Sequence, residues 1–531
     1  MDVLLGIDLG TTGCKAAVCS VEGEVLGTGY IEYPLVSPRP EVVEQDANLW
    51  WSLTQGAVRQ GIADSVGRFQ VGGRAVRALS VSAQGISFVP VDQAGRPLRK
   101  AISWLDTRAA AEVEIVRQRI SDEELFRVTG KRPGAFYVLP KLLWLREHEP
   151  RLYQDADRFL MALDYLLCKL CGAAVTDLTM ASGSLLLDLW QLNWSADLLA
   201  AFDVRREQLP ALAQAGTVAG TLAPDVASDL GLSPETLVVV GGQDQKCAAL
   251  GAGIRPGRVT VSLGTATAIS YLTDRPVLDP ERRIPAFPFV VPGYWDLEGV
   301  VSTSGAALRW IRDAFFPTKG YAELMELASQ SPPGANGVRF FPHLTGATSP
   351  LWEPGARGAF AGLSLATGAA DIVRSVLEGV AFQIRSNVDV ITSLAPVEAM
   401  TPSGTMTPSA EIVLFGGGAR HPLWGELIAQ VTGKPVYVTG MADVANWGAC
   451  ILAGVGAGLY RDSAVLEPIG PDGLGTALSR RTCSQGARLC CVPSPGHVRQ
   501  YDELYRAYLE AEARWIGSSA DGLWSAVGSR E

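Results

Sequence analysis

A chain of 531 residues, 47% hydrophobic and 19% charged, has room for two or more packed domains and is not the composition of a disordered protein. A net charge of -10 excludes a nucleic-acid surface, which needs a basic stripe, and no apolar run reaches the length of a membrane span. The opening Met1-Asp2-Val3-Leu4-Leu5-Gly6 lacks the basic region and cleavage site of a signal peptide, and nine scattered cysteines fit buried thiols, so a cytoplasmic protein is expected.

The chain enters on a strand that ends at Asp8-Leu9. A Gly10-Thr11-Thr12-Gly13 turn and a second strand through Lys15 follow. Such a turn has little side-chain bulk, so backbone N–H groups and hydroxyls can reach a phosphate. Asp8, just before it, is placed to hold Mg²⁺ through water. The same residues would also make a plain hairpin with a polar turn. Ala78–Val91 reads as two strands around a turn at Gln84-Gly85, and Asp92–Gly95 as a hairpin turn. Trp104 and Asp106 then end a short strand ahead of an alanine-rich helix. A tryptophan and an acid together suit a polyol, the ring for C–H faces and the carboxylate for hydroxyls; a core Trp with an Asp–Arg pair at a helix start fits equally. Residues 121–171 read as helical, with Cys168 and Cys171 as a core pair, and four isolated histidines predict no zinc site. Helices and turns are expected over 184–237.

Val238-Val239-Val240 reads as a buried strand broken by Gly241-Gly242. Gln243-Asp244-Gln245 follow, and then a small-residue helix. A carboxylate at the carboxyl end of a strand stands where α/β folds place their ligands. Asp244 is therefore a candidate base, or a helix N-cap. Val259–Ile269 repeats the opening unit, with Gly264-Thr265 at the turn, and such repetition predicts two similar lobes around a common cleft. Gly299–Trp310 is a strand end opening a helix, whose Gly305 and neighbours would admit a nucleotide. A long helix over 370–390, a loop over 396–409 and a buried strand into the glycine turn at Gly416-Gly417-Gly418 come next. Trp447–Leu459 fits a tightly buried helix and Tyr501–Arg514 a final amphipathic one, with a loose tail from Gly517.

Gly6-Ile7-Asp8-Leu9-Gly10-Thr11-Thr12, Trp104-Leu105-Asp106-Thr107-Arg108, Gly241-Gly242-Gln243-Asp244-Gln245, Ser262-Leu263-Gly264-Thr265 and Phe415-Gly416-Gly417-Gly418-Ala419-Arg420 occur in order. With these motifs the chain resembles the FGGY carbohydrate kinases of the actin/Hsp70-like ATPase superfamily, from about residue 4 to about 510. The resemblance implies an α/β fold of two actin-like (ribonuclease H-like) lobes, each a mixed sheet flanked by helices, with a cleft between them. Residues 1–253 would form the sugar-binding lobe with the first phosphate hairpin, 254–515 the nucleotide-binding lobe and 516–531 a flexible tail. The implied reaction moves the γ-phosphoryl group of ATP, with Mg²⁺, to a hydroxyl of an open-chain ketose or polyol. Asp244 would be the base and would share the metal with Asp8. Gln84, Gly85, Trp104, Asp106 and Gln245 would face the sugar. Thr11, Thr12, Lys15, Gly264, Thr265, Gly305, Arg309, Gly417 and Gly418 would hold the nucleotide.

Val43-Glu44-Gln45-Asp46, Trp50-Trp51, Arg132-Pro133-Gly134, Pro140–Trp144 with His148-Glu149-Pro150, and Leu163–Leu166 are most similar to xylulokinases. D-xylulose, giving D-xylulose 5-phosphate, is therefore the expected substrate. Ile86 stands where xylulokinases carry the histidine of Gln-Met-His-Gly, which leaves ribulose, erythritol, other polyols and gluconate as alternatives. Glycerol is a weaker one, because glycerol kinases carry Arg-Glu at the positions of Gly85 and Ile86. A nucleotide-switched partner-binding protein is the rival from the same superfamily. The expected partners are the sugar and ATP, with no nucleic acid or membrane, and the family implies a homodimer as one assembly.

Overall fold

The computed structural model describes residues 2–395, 410–441, 443–460 and 487–520. The loop expected over 396–409 and the end of the tail, from residue 521, lie outside the described residues.

The first sheet begins as an antiparallel meander of Val3–Leu9, Gly13–Ser20 and Val25–Glu32, in a register that sets Asp8 opposite Lys15. Val76–Ala83 joins Val3–Leu9 in parallel, Leu237–Gln243 joins Val76–Ala83 in parallel, and Val218–Thr221 closes the edge antiparallel. The second sheet repeats this plan. Arg258–Leu263, Thr267–Thr273 and Trp295–Val301 form the meander. Glu411–Phe415 and Val436–Thr439 extend it in parallel, and Ala286–Pro288 and Ala487–Cys491 are added at the two edges. The repeated Leu-Gly-Thr hairpin thus marks two lobes of one topology.

Val3–Leu9 is apolar and buried along nearly its whole length because the sheet is covered on both faces. Helix Ala47–Phe69 packs on one side. The other is covered by helix Val444–Gly456, which follows the last parallel strand of the second sheet yet lies on the first. Helix Asp244–Gly251 lies between the sheets, with Cys247 and Ala249 clustered against Leu4 and Val239 of the first and Ala248 against Val413 and Phe415 of the second. The two helices cross in close contact. A Cβ on Gly448 would sit 1.9 Å from the Cys247 carbonyl oxygen, and one on Gly251 would sit 1.9 Å from that of Val444.

Several boundaries differ from the sequence reading. Gly241-Gly242 does not break its strand, which runs on to Gln243. A Cβ on Gly241 would fall 1.8 Å from the Val81 carbonyl oxygen, so glycine there lets two strands close up. Residues 121–171 hold helices Asp122–Thr129, Val138–His148, Pro150–Asp155 and Ala162–Cys171, interrupted by strand Arg158–Met161. Short strands also occur within 184–237. The final helix starts at Pro495 and continues to Ala520, past the expected loose point at Gly517. Among the described residues, no helix is long and apolar enough to cross a membrane.

Candidate active site

Asp244 opens helix Asp244–Gly251 directly after the strand ends. It is the first helical residue and not the N-cap, which is Gln243, so the N-cap reading fails. One carboxylate oxygen accepts the N–H of Gln245 at 2.8 Å. Burial, then the neighbouring Asp8 carboxylate and, more weakly, Glu298, push the Asp244 carboxyl up to about 7, against the pull of the Gln245 N–H and Lys246. Asp8 is itself raised by burial, although Ser82 Oγ donates to its Oδ1 at 2.7 Å. Two buried carboxyls, one of which raises the pKa of the other, are a donor set suited to a hydrated divalent cation, which would offset the negative charge.

The first glycine turn is tied to the loop that carries Trp104 and to Gln45. Trp104 Nε1 donates to Thr11 Oγ1 at 3.0 Å, and the Gln45 amide donates to the Thr11 carbonyl at 2.8 Å. Trp104 is exposed, and so is Thr12. Lys15 Nζ lies 2.7 Å from Asp443, just ahead of helix Val444–Gly456. Burial works against its charge, but Asp443 outweighs this and holds its pKa up. Lys15 is thus spent on a bridge between the lobes, and a phosphate would have to compete with Asp443 for it.

The second turn is built from three separate segments. Gly305 N–H donates to the Gly264 carbonyl at 3.0 Å and Ala306 N–H to that of Thr265 at 3.0 Å. A Cβ on Gly305 would lie 2.4 Å from the Gly264 oxygen. Gly418 packs on Leu263, Gly417 is exposed beside it, and Arg309 is exposed one turn into helix Gly305–Phe315. The structure therefore gathers Gly264, Thr265, Gly305, Gly417 and Gly418 around one strand end.

Two residues expected to face the sugar do not offer it a free polar atom. Asp106 is fully buried, and its carboxylate accepts the Val43 N–H at 2.7 Å and several Arg108 donors, which makes it a brace for its own loop. Gln84 is also fully buried. Its amide donates to Gln45 and Tyr33 and accepts from Ser87. Gly85 lies against the Gln243 side chain and Gln245 is half-buried beside Asp244.

Sequence reasoning missed a buried ion cluster beside Asp244. Lys246 Nζ reaches Asp296 at 2.5 Å and Glu298 at 2.6 Å, joining the start of a first-lobe helix to a second-lobe strand. The one visible signal was a lysine within a run of small residues. Lys141, inside the Pro140–Trp144 stretch, is also buried, and its Nζ donates to the carbonyls of Ser103 and Phe136, the first of which sets the loop that carries Trp104.

Two lobes of one topology, a glycine turn in each and a raised carboxyl at a strand end define a phosphotransferase of actin-like architecture. Residues 3–251 match the N-terminal domain of the FGGY family of carbohydrate kinases, and residues 259–457 match its C-terminal domain. The chain is 30% identical to a xylulose kinase of Escherichia coli over 87% of its own length and 92% of that protein. It is 28% identical to a gluconokinase of Bacillus subtilis, over 86% of this chain and 87% of that one. A ligand-bound xylulose kinase structure from Lactobacillus acidophilus superposes with a TM-score of 0.85 at 25% identity, covering 98% of this chain and all of the other. The chain belongs to the FGGY family of carbohydrate kinases, and it is a xylulokinase-like sugar kinase.

Proposed function

We propose that this kinase phosphorylates an open-chain ketose, with D-xylulose as substrate and D-xylulose 5-phosphate as product. The observation that supports it most is the Asp244 carboxyl, raised toward 7 beside Asp8 at the end of its strand. In this reading the ionised Asp244 takes the proton from a sugar hydroxyl as that oxygen attacks the γ-phosphorus of ATP, and the β–γ bridging oxygen leaves with ADP. The transition state of phosphoryl transfer is loose, so positioning and charge neutralisation supply most of the rate. The turns at Thr11-Thr12 and Gly264-Thr265 present N–H groups and hydroxyls to the phosphates, with Gly305, Arg309, Gly417 and Gly418 around the nucleotide. Trp104 walls the sugar, and Gln245 lies on the same side as the base. Mg²⁺, held by Asp8 and Asp244 through water, would supply charge neutralisation on the phosphates when bound. The division of labour between a lobe of residues 1–253 and one of 254–515 belongs to the same reading. The unpaired thiols of the described cysteines fit a reducing, cytoplasmic setting.

A neutral sugar is favoured over an aldonate. Lys246 is spent on two carboxylates, and Lys131, in the same buried cluster, donates to the carbonyls of Thr129 and Ala286 and to Ser182. Neither is free to meet a substrate carboxylate.

The test is ADP release with D-xylulose, D- and L-ribulose, erythritol, ribitol, gluconate and glycerol. The highest kcat/KM is expected with D-xylulose. Asp244→Asn should keep sugar binding and lower kcat by about 10²–10⁴-fold. A best rate with gluconate would replace the substrate, near-normal turnover in Asp244→Asn would remove the base, and ATP turnover indifferent to every sugar would favour a nucleotide-switched binding protein.

A further inference from the structure

The strand that delivers Asp244 ends on Gln243, whose backbone N–H donates to Thr179 Oγ1 at 2.9 Å. The side chain of Gln243 lies over the Gln84–Ser87 turn. A Cβ on Gly85 would come within 3.0 Å of Gln243 Cγ and 3.2 Å of its Nε2, so the absence of a side chain at Gly85 leaves the amide its place. Oε1 of that amide is shielded from solvent and has no hydrogen-bond partner among the described residues. Buried amide oxygens are nearly always satisfied, and the exceptions mark groups kept for another purpose. The residue as a whole is only half-buried. Turning the amide about its last bond would therefore present either its oxygen or its nitrogen to the cleft without breaking a hydrogen bond made by Oε1.

The neighbouring groups cannot do the same work. The Gln84 amide is bonded on both atoms. Ile86 has φ 55°, and the Ser87 N–H donates back to the Gly85 carbonyl at 2.8 Å, a tight turn that a β-branched residue rarely adopts. Its side chain abuts Gly183, where an added Cβ would lie 2.2 Å from Ile86 Cγ2. Ile86 therefore brings hydrocarbon alone to this part of the cleft.

We propose that Gln243 is a sugar-recognition residue, its amide hydrogen-bonding a hydroxyl of a neutral polyhydroxylated substrate while Ile86 supplies an apolar wall beside it. This rests on the sugar-kinase reading above. The amide both donates and accepts, so it can meet a sugar hydroxyl as either partner.

The experiment is steady-state ADP release with the best sugar of the panel, alongside thermal unfolding. Gln243→Ala should raise KM about tenfold or more, the size of one lost hydrogen bond to a ligand, with the smaller part of the loss in kcat and little change in Tm. Gly85→Ala, which crowds the amide but keeps it, should raise KM in the same direction. An unchanged KM in both Gln243→Ala and Gly85→Ala overturns the inference and leaves the kinase reading standing. No sugar-dependent ADP release from the wild-type enzyme overturns both.

Discussion

Asp244 must be ionised to accept a proton, and its surroundings make ionisation difficult. With its carboxyl pushed up to about 7, the reactive form is lost as pH falls through 7 and is complete well above it. In the proposed mechanism, kcat/KM should therefore fall about tenfold per pH unit on the acid side and level off on the alkaline side, as read from initial rates at low sugar. Glu298→Gln removes a negative neighbour and should move the acid limb to lower pH; an unmoved limb would mean that Glu298 does not act on the base. Asp244 was legible in the sequence because strand, turn and helix start are contiguous in the chain. Asp106 stayed open in the sequence, between a polyol contact and an Asp–Arg pair, for the opposite reason. Its partners include Val43, far upstream, and a carboxylate placed to meet a polyol looks the same in sequence as one already bonded to a distant N–H.

Asp296 and Glu298 sit two residues apart on strand Trp295–Val301, so both project to one face and a single ammonium can reach both. Lys246 supplies it, two residues past Asp244. The cluster fastens the start of helix Asp244–Gly251 to the second sheet and so bears on where the Asp244 carboxylate sits. Lys246→Met would leave two buried carboxylates without their cation, at a cost of roughly 3–5 kcal/mol. Urea unfolding measures that loss directly, and a change below about 1 kcal/mol would show the cluster to be dispensable. Hydrophobic pattern and turn chemistry were enough to foresee most elements here, including the strand into Gly416 and the long helix, found at Ala369–Leu394. They did not reveal the ion cluster, because residues 246 and 296 meet only where the two lobes face each other.

The two-lobed plan was visible in the repeated hairpins, and each hairpin opens a sheet of the same topology. What held the lobes together was not. The small-residue run Trp447–Leu459 announces a buried helix, found at Val444–Gly456, without saying which sheet buries it, and its placement on the first lobe follows from contacts such as the Asn446 amide donating to the Gly6 carbonyl at 3.0 Å. Gly448→Ala would drive a methyl group into the Cys247 backbone, and backbone there cannot swing aside as a side chain can. A loss of about 1–3 kcal/mol in stability is expected, with kcat lowered more than sugar affinity, measured by unfolding and by sugar binding without ATP. Unaltered stability and turnover would mean that the helices separate freely. A glycine on each helix meets a carbonyl of the other, so the two backbones stand closer than any larger residue would allow. The crossing is in effect a spacer of fixed width, and the gap between the two glycine turns is set by residues that lie in neither of them.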